Sequence, residues 1–241
     1  MTMALNRPFF ADLSTYSVSD TLPFYEHVFG WVYYEQDNYY SAFIDQTEVV
    51  GLYETPDKFK QMRMPHFWMT YIRVSNVDEM VSKAKALGGI IEAHYEMNGI
   101  GKVALIRDPQ GAGFTIYEGD ALKDTRTKNT ARTLIWNEIH TSNAQRIIPF
   151  YEGLFGWTIK QLQNGTYVVL NYDGEHIADI LEIDNRYKGK YEYWVCTFAV
   201  DDLNATKKLI LNNEGHVIIE EEHRILFTDN SNEAFFYIKA V

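Results

Sequence analysis

The stretch Phe24-Tyr25-Glu26-His27-Val28-Phe29-Gly30-Trp31 returns 126 positions later as Phe150-Tyr151-Glu152-Gly153-Leu154-Phe155-Gly156-Trp157. Aligning residues 10–31 on 136–157 gives eight identities without a gap: Thr15 on Thr141, Pro23 on Pro149, and the Phe-Tyr-Glu and Phe-Gly-Trp runs. The offset persists at Trp68 on Trp194, Val74 on Val200 and Gly89 on Gly215. Near the end it shortens to 121, with Asp108 on Asp229 and Phe114 on Phe235. Self-similarity at this scale marks a duplicated domain.

Working outward, residues 9–16 alternate as a strand, with Phe10, Asp12 and Ser14 on one face. A helix follows and stops at Gly30, placed like a left-handed C′ glycine. Trp31–Gln36, Tyr39–Ile44 and Glu48–Glu54 are aromatic and β-branched runs separated by polar turns, the composition of a meander. The β-α-β-β-β pattern then restarts. Phe67–Val74 reads as a strand, and Val77–Leu87 as a helix with Val77, Met80, Val81, Ala84 and Leu87 on one stripe. Three strands follow, the last two joined by the turn Asp108-Pro109-Gln110-Gly111. Residues 120–130 are polar with almost nothing to bury and read as a linker. The expectation is an α+β chain of two tandem domains, 8–119 and 131–241, each of two βαβββ units forming a cup-shaped mixed sheet.

Composition narrows the function classes. A net charge of −11 with no basic stripe opposes nucleic acid as a partner. No apolar run reaches the ~18–20 residues of a membrane span, and Met1 to Arg7 lacks a signal-peptide pattern. One cysteine, Cys196, excludes an internal disulfide and fits a reducing cytoplasm.

Paired βαβββ units, the F-Y-x-x-x-F-G-W helix end and the D-P-x-G-x-x-F turn together resemble the vicinal oxygen chelate superfamily. That group includes glyoxalase I, extradiol dioxygenases and bleomycin-resistance proteins. The resemblance is greatest to tandem glyoxalase-like proteins whose domains open on a W-x-E-L-x-T segment, here Trp136-Asn137-Glu138-Ile139-His140-Thr141. It implies two cups. In metal-dependent members a divalent ion sits there on His or Gln of the first strands and Glu of the last. Matched position by position, the first-strand ligands fall on Phe10, Met69, Trp136 and Val195. The fourth-strand positions fall near Gly51 and Asp179, and the final-strand positions on Glu118 and Lys239. The resemblance thus leaves Glu118 as a metal ligand in the first domain, where a divalent ion is admissible. In the second domain no cofactor is expected.

Other candidates come from strand geometry. Asp12 and Glu138 lie two residues beyond Phe10 and Trp136, so each shares its neighbour's face and points into a cup. Such carboxylates serve as general acids or bases, or as hooks for a cationic ligand. His140 shares that face with Glu138, and together they supply an acid–base pair or a displaced metal site. Phe10, Tyr71 and Trp136 make aromatic walls. The expected function is therefore small-molecule binding without the family's full metal site, at Phe10, Asp12, Tyr71, Trp136, Glu138 and His140. The alternatives are a lactoylglutathione lyase-like or dioxygenase-like enzyme with a reduced or displaced metal site, and a protein-interaction module. A homodimer is compatible with each.

Overall fold

The structure, a computed structural model, describes residues 5–241. The first half runs β1 (Pro8–Thr15), α1 (Val18–Phe29), β2 (Val32–Gln36), β3 (Tyr39–Ile44), β4 (Thr47–Glu54), a short α2 (Asp57–Gln61), β5 (Phe67–Arg73), α3 (Val77–Ala86), β6 (Ile90–Met97), β7 (Gly101–Arg107) and β8 (Gly113–Glu118). The second half runs β9 (Leu134–Thr141), α4 (Ile148–Phe155), β10 (Thr158–Gln161), β11 (Tyr167–Leu170), β12 (His176–Glu182), a short α5 (Asn185–Lys188), β13 (Tyr193–Val200), α6 (Leu203–Asn212), β14 (His216–Glu220), β15 (Arg224–Thr228) and β16 (Phe235–Ala240). The chain is α+β, with two eight-stranded mixed sheets ordered β2-β3-β4-β1-β5-β8-β7-β6 and β10-β11-β12-β9-β13-β16-β15-β14. The short α2 and α5 carry too few apolar residues to leave a periodic signal, and the sequence reading passed over them.

Both copies of the opening motif end as expected. Gly30 and Gly156 adopt φ 68° and 71°, and their N–H groups bond Glu26 O and Glu152 O. That conformation is nearly free only for glycine. The proline differs in place: Pro23 sits inside α1, whereas α4 starts later and holds Pro149 in its first turn. There its missing N–H costs nothing.

The packed cores divide the chain into two compact units. Among the described residues, one comprises 5–9, Thr70–Asp124 and Asn137–Val195; the other comprises Phe10–Met69, Thr125–Trp136 and Cys196–Val241. In the first, α3 residues Val77, Val81 and Ala84 share a core with Phe150, Tyr151 and Leu154 of α4. In the second, Phe24, Tyr25 and Phe29 of α1 share one with Phe198, Phe236 and Ile238. The repeated tyrosine anchors each. Tyr151 Oη donates to Asp108 Oδ2 at 3.1 Å and accepts from Trp194 Nε1 at 3.1 Å. Tyr25 does the same with Asp229 and Trp68, again at 3.1 Å each. The remaining oxygen of Asp108 accepts the backbone N–H groups of Gln110, Gly111 and Ala112, which is what the D-P-x-G turn is for.

Strand register corrects the end of the repeat. Thr115 pairs with Tyr71 and Tyr237 with Thr197, so the offset there is 122 and Phe114 matches Phe236, not Phe235. The turn from Asp229 to Ala234 carries one residue more than the turn from Asp108 to Ala112, both closed by a backbone bond between their ends. Glu118 accordingly matches Ala240 and not Lys239. The linker also has more structure than its polar composition suggested. Buried Arg73 donates to Gly119 O and to Leu122 O at 2.7 Å, its guanidinium 4.3 Å from the ring centroid of Phe9 and 5.4 Å from that of Tyr117. Arginine's fork of donors lets one side chain hold a polar segment that has no core of its own.

Candidate functional site

Strand alternation separates two faces of β1. Ala11 and Leu13 enter a core, leaving Phe10, Asp12 and Ser14 on the other face, as the sequence predicts. Phe10 and Asp12 are both buried. The partner of Asp12 was not foreseen: Tyr39 Oη donates to Asp12 Oδ2 at 3.3 Å. Burial and then the Asp12 charge push the Tyr39 phenol well above its ordinary pKa, so it stays protonated and donates. Gly51, the Cα partner of Asp12 on β4, makes this possible. A Cβ there would lie 1.7 Å from Tyr39 Oη. The fourth-strand ligand position of the first half is thus a glycine with a phenol laid across it. Ser14 bonds Thr55 at 2.8 Å.

On β9 the matching acid has a different partner. Glu138 Oε1 lies 2.8 Å from His140 Nε2, both side chains essentially excluded from solvent at 1% and 0% exposure. The other ring nitrogen, Nδ1, lies 3.2 Å from the hydroxyl of Tyr193, the first residue of β13. Asp179 is the Cα partner of Glu138, just as Gly51 is of Asp12, and is 2.7 Å from His176 Nε2. Tyr39 and Tyr193 carried no repeat or spacing signal. Only chain folding brings them to these acids.

The remaining candidates are dispersed. Trp136 is half-buried with the Arg126 guanidinium 4.4 Å from its ring centroid. Tyr71 is half-buried beside Thr115. Glu118 shares its strand face with Phe114 and Ile116, both core residues, and its Oε2 accepts the Val77 N–H at the start of α3 at 2.8 Å. An acid there also suits the positive end of the helix. Its carboxylate therefore serves the helix face.

A divalent metal does not fit this donor set. Apart from Glu118 and Asp179, whose carboxylates face the Val77 N–H and His176 Nε2, the matched positions give an arene (Phe10), a thioether (Met69), an indole (Trp136), an isopropyl group (Val195) and no side chain at Gly51. None of these is a ligand for Zn²⁺, Mn²⁺ or Fe²⁺. The displaced pair fares no better, since both ring nitrogens of His140 already face partners. Among the described residues no group of three or more His, Cys, Asp or Glu side chains is arranged to hold a metal ion. Among them, too, no helix is long and apolar enough to cross a membrane.

The family model for the Glyoxalase/Bleomycin resistance protein/Dioxygenase superfamily matches residues 10–116. Over that stretch the chain is similar to that superfamily. It is 29% identical over 225 residues to CFP32 of Mycobacterium tuberculosis (strain CDC 1551 / Oshkosh), provisionally named a glyoxylase, across 88% of this chain and 84% of that protein. It is 22% identical over 228 residues to the anthracycline biosynthesis protein DnrV of Streptomyces peucetius, across 87% and 82% of the two chains. Among solved structures, the Mn(II)-bound glyoxalase from Novosphingobium aromaticivorans superposes with a TM-score of 0.65 at 14% identity, covering 98% of this chain and 82% of that one. The 2,3-dioxygenase LapB from Pseudomonas sp. KL28 gives 0.66 at 11%, covering 99% and 94%. At these identities the structural likeness speaks for the fold alone.

Proposed function

We propose that this protein binds a planar aromatic small molecule bearing a cationic group, through the carboxylates of β1 and β9 and without the family's metal centre. The observation that carries the reading is the pair of buried acids at matched strand positions, Asp12 and Glu138, each 1% exposed and each given a side-chain partner other than a metal-ligand set. A buried carboxylate is costly, and retaining one in each half fits a recognition role. The reading takes its stacking surface from the half-buried rings of Tyr71 and Trp136, Phe10 being fully enclosed. The likeness to DnrV adds weight, because anthracyclines are planar polycycles carrying an amino sugar. The reading extends to a cytoplasmic setting, supported by the single buried cysteine. It extends also to a homodimer, supported by exposed Val32 and Tyr34 on the edge strand β2 and measurable by light scattering.

The test uses doxorubicin, whose fluorescence is quenched on stacking, with elemental analysis of the dialysed protein. Saturable quenching that survives chelator treatment is expected. Absence of saturable binding, or one tightly held metal ion whose removal abolishes it, would overturn the reading.

A further inference from the structure

The chain holds two Asn-Gly dipeptides, and each lies in a hairpin turn: Asn98-Gly99 between β6 and β7, and Asn164-Gly165 between β10 and β11. All four residues are exposed, and a Cβ on either glycine would meet open space. Both glycines have positive φ, 75° and 88°. The turns differ in register. In the second hairpin the Gly165 N–H closes the turn by bonding Leu162 O at 3.1 Å, so the asparagine is its third residue. Asn164 Oδ1 also accepts the Thr166 N–H at 3.1 Å. In the first hairpin the closing bond runs from Ile100 N–H to Met97 O at 2.9 Å, which makes asparagine and glycine the second and third residues. The Gly99 N–H is then not the one that closes the turn. Among the described residues no hydrogen bond holds it or the Asn98 amide.

We propose that Asn98 is a site of deamidation, converted through a cyclic imide to aspartate and isoaspartate, and that its turn protects Asn164 from the same change. The inference stands apart from the small-molecule-binding reading. In the step, the Gly99 backbone nitrogen gives up its proton and attacks Asn98 Cγ. The new C–N bond closes the imide ring, the bond from Cγ to the side-chain nitrogen breaks, and ammonia leaves with the proton. Glycine leaves this approach open because no Cβ stands beside the attacking nitrogen. Water then opens the ring. Addition at the side-chain carbonyl gives aspartate, and addition at the main-chain carbonyl gives isoaspartate. Water is the only co-reactant, and nothing is oxidised or reduced. At Gly165 the same attack first requires the bond to Leu162 O to open, and the Asn164 side chain must leave Thr166.

The first hairpin is tied to the segment that follows β8. Tyr117 Oη donates to Ile100 O at 2.7 Å and accepts the N–H groups of Ala121 and Leu122 at 3.0 and 3.2 Å. Isoaspartate at 98 lengthens the backbone by one methylene two residues before that anchor, and places a new carboxylate on an exposed turn. An exposed isoaspartyl turn is the chemical group that an isoaspartate carboxyl methyltransferase recognises, which gives the class of partner for the modified protein.

The experiment ages the full-length folded protein in mildly alkaline buffer and follows both asparagines by peptide mass spectrometry. Isoaspartate methyltransferase with labelled S-adenosylmethionine reports the isoaspartyl product. Asn98 should convert, faster as pH rises, and accept methyl label. Asn164 should lag by about ten-fold or more, because two hydrogen bonds must open first. In urea, where both turns are lost, the two sites should react at matching rates. Asn98→Gln, an exposed substitution, should remove label from its peptide. An unmodified Asn98, equal rates at the two sites in the folded protein, or undiminished methyl transfer to Asn98→Gln would each overturn the assignment. A lead for Asn98 that persists unchanged in urea would overturn the protective role of the Gly165 turn.

Discussion

At the scale of single residues, the two halves have kept a carboxylate in the same place and changed what surrounds it. Asp12 is held by a phenol that passes over Gly51, and that passage depends on the missing side chain. Gly51→Ala should push the Tyr39 ring aside and cost about 1–3 kcal/mol in urea unfolding, the range for overpacking a core. Combining it with Tyr39→Ala should recover part of that loss relative to the sum of the single changes. Strict additivity would show that the two residues do not meet. The acids themselves should matter more for the ligand than for the fold. Asp12→Asn and Glu138→Gln keep shape and remove charge, so each should weaken doxorubicin binding by about 1.5–3 kcal/mol. Unchanged affinity in both would remove the cationic hook from the binding reading.

The elements are fixed to one another by the repeated tyrosine. Tyr151→Phe deletes the hydroxyl that donates to buried Asp108 and accepts from Trp194, and should cost about 1.5–3 kcal/mol by chemical denaturation. The aspartates leave a signature in pH. Burial outweighs their hydrogen bonds, so Asp108 and Asp229 titrate above the ordinary value of 3.8. Between that value and their folded-state pKa the folded protein binds more protons than the unfolded chain. Their contribution to stability therefore falls as pH rises through that window. Glu192 acts oppositely: burial raises it, but hydrogen bonds from Ser142 and Lys188 together bring it below 4.5, and its contribution is lost as pH falls through the lowered value. Asp108→Asn should flatten the first of these slopes in denaturation measured across the acid range. A slope identical to that of the wild type would mean that Asp108 is not the titrating group.

For the whole molecule, the repeat and the packing do not share boundaries. Hydrogen-bonded sheets follow the halves 8–119 and 131–241, proposed as the units of duplication, while each hydrophobic core draws on both. Residues 1–124 expressed alone would present Val77, Val81 and Ala84 of α3 without Phe150 and Leu154, the residues that cover them. Neither 1–124 nor 125–241 should therefore unfold cooperatively by near-ultraviolet circular dichroism, and mixing them should restore a transition. A sharp melt from either fragment by itself would contradict this dependence.

The sequence by itself determined the repeat, the α+β pattern, the glycine stops of α1 and α4, and the face on which Phe10, Asp12, Trp136, Glu138 and His140 lie. All of these follow from local periodicity and backbone conformation, which a chain carries in its order of residues. It also determined that the four first-strand metal positions implied by the resemblance, at Phe10, Met69, Trp136 and Val195, hold no histidine or glutamine, since lone pairs belong to residue types. The tertiary structure alone decided the partners. Tyr39 reaches Asp12 across a strand, Tyr193 reaches His140 from the neighbouring strand β13, and Glu118 turns to the start of α3. The one-residue change of register that matches Ala240 to Glu118 likewise appears only when strands pair. Side-chain hydrogen bonds between residues 27, 53 and 41 positions apart leave no period in the sequence, because closure of the chain, not its local geometry, brings their atoms together.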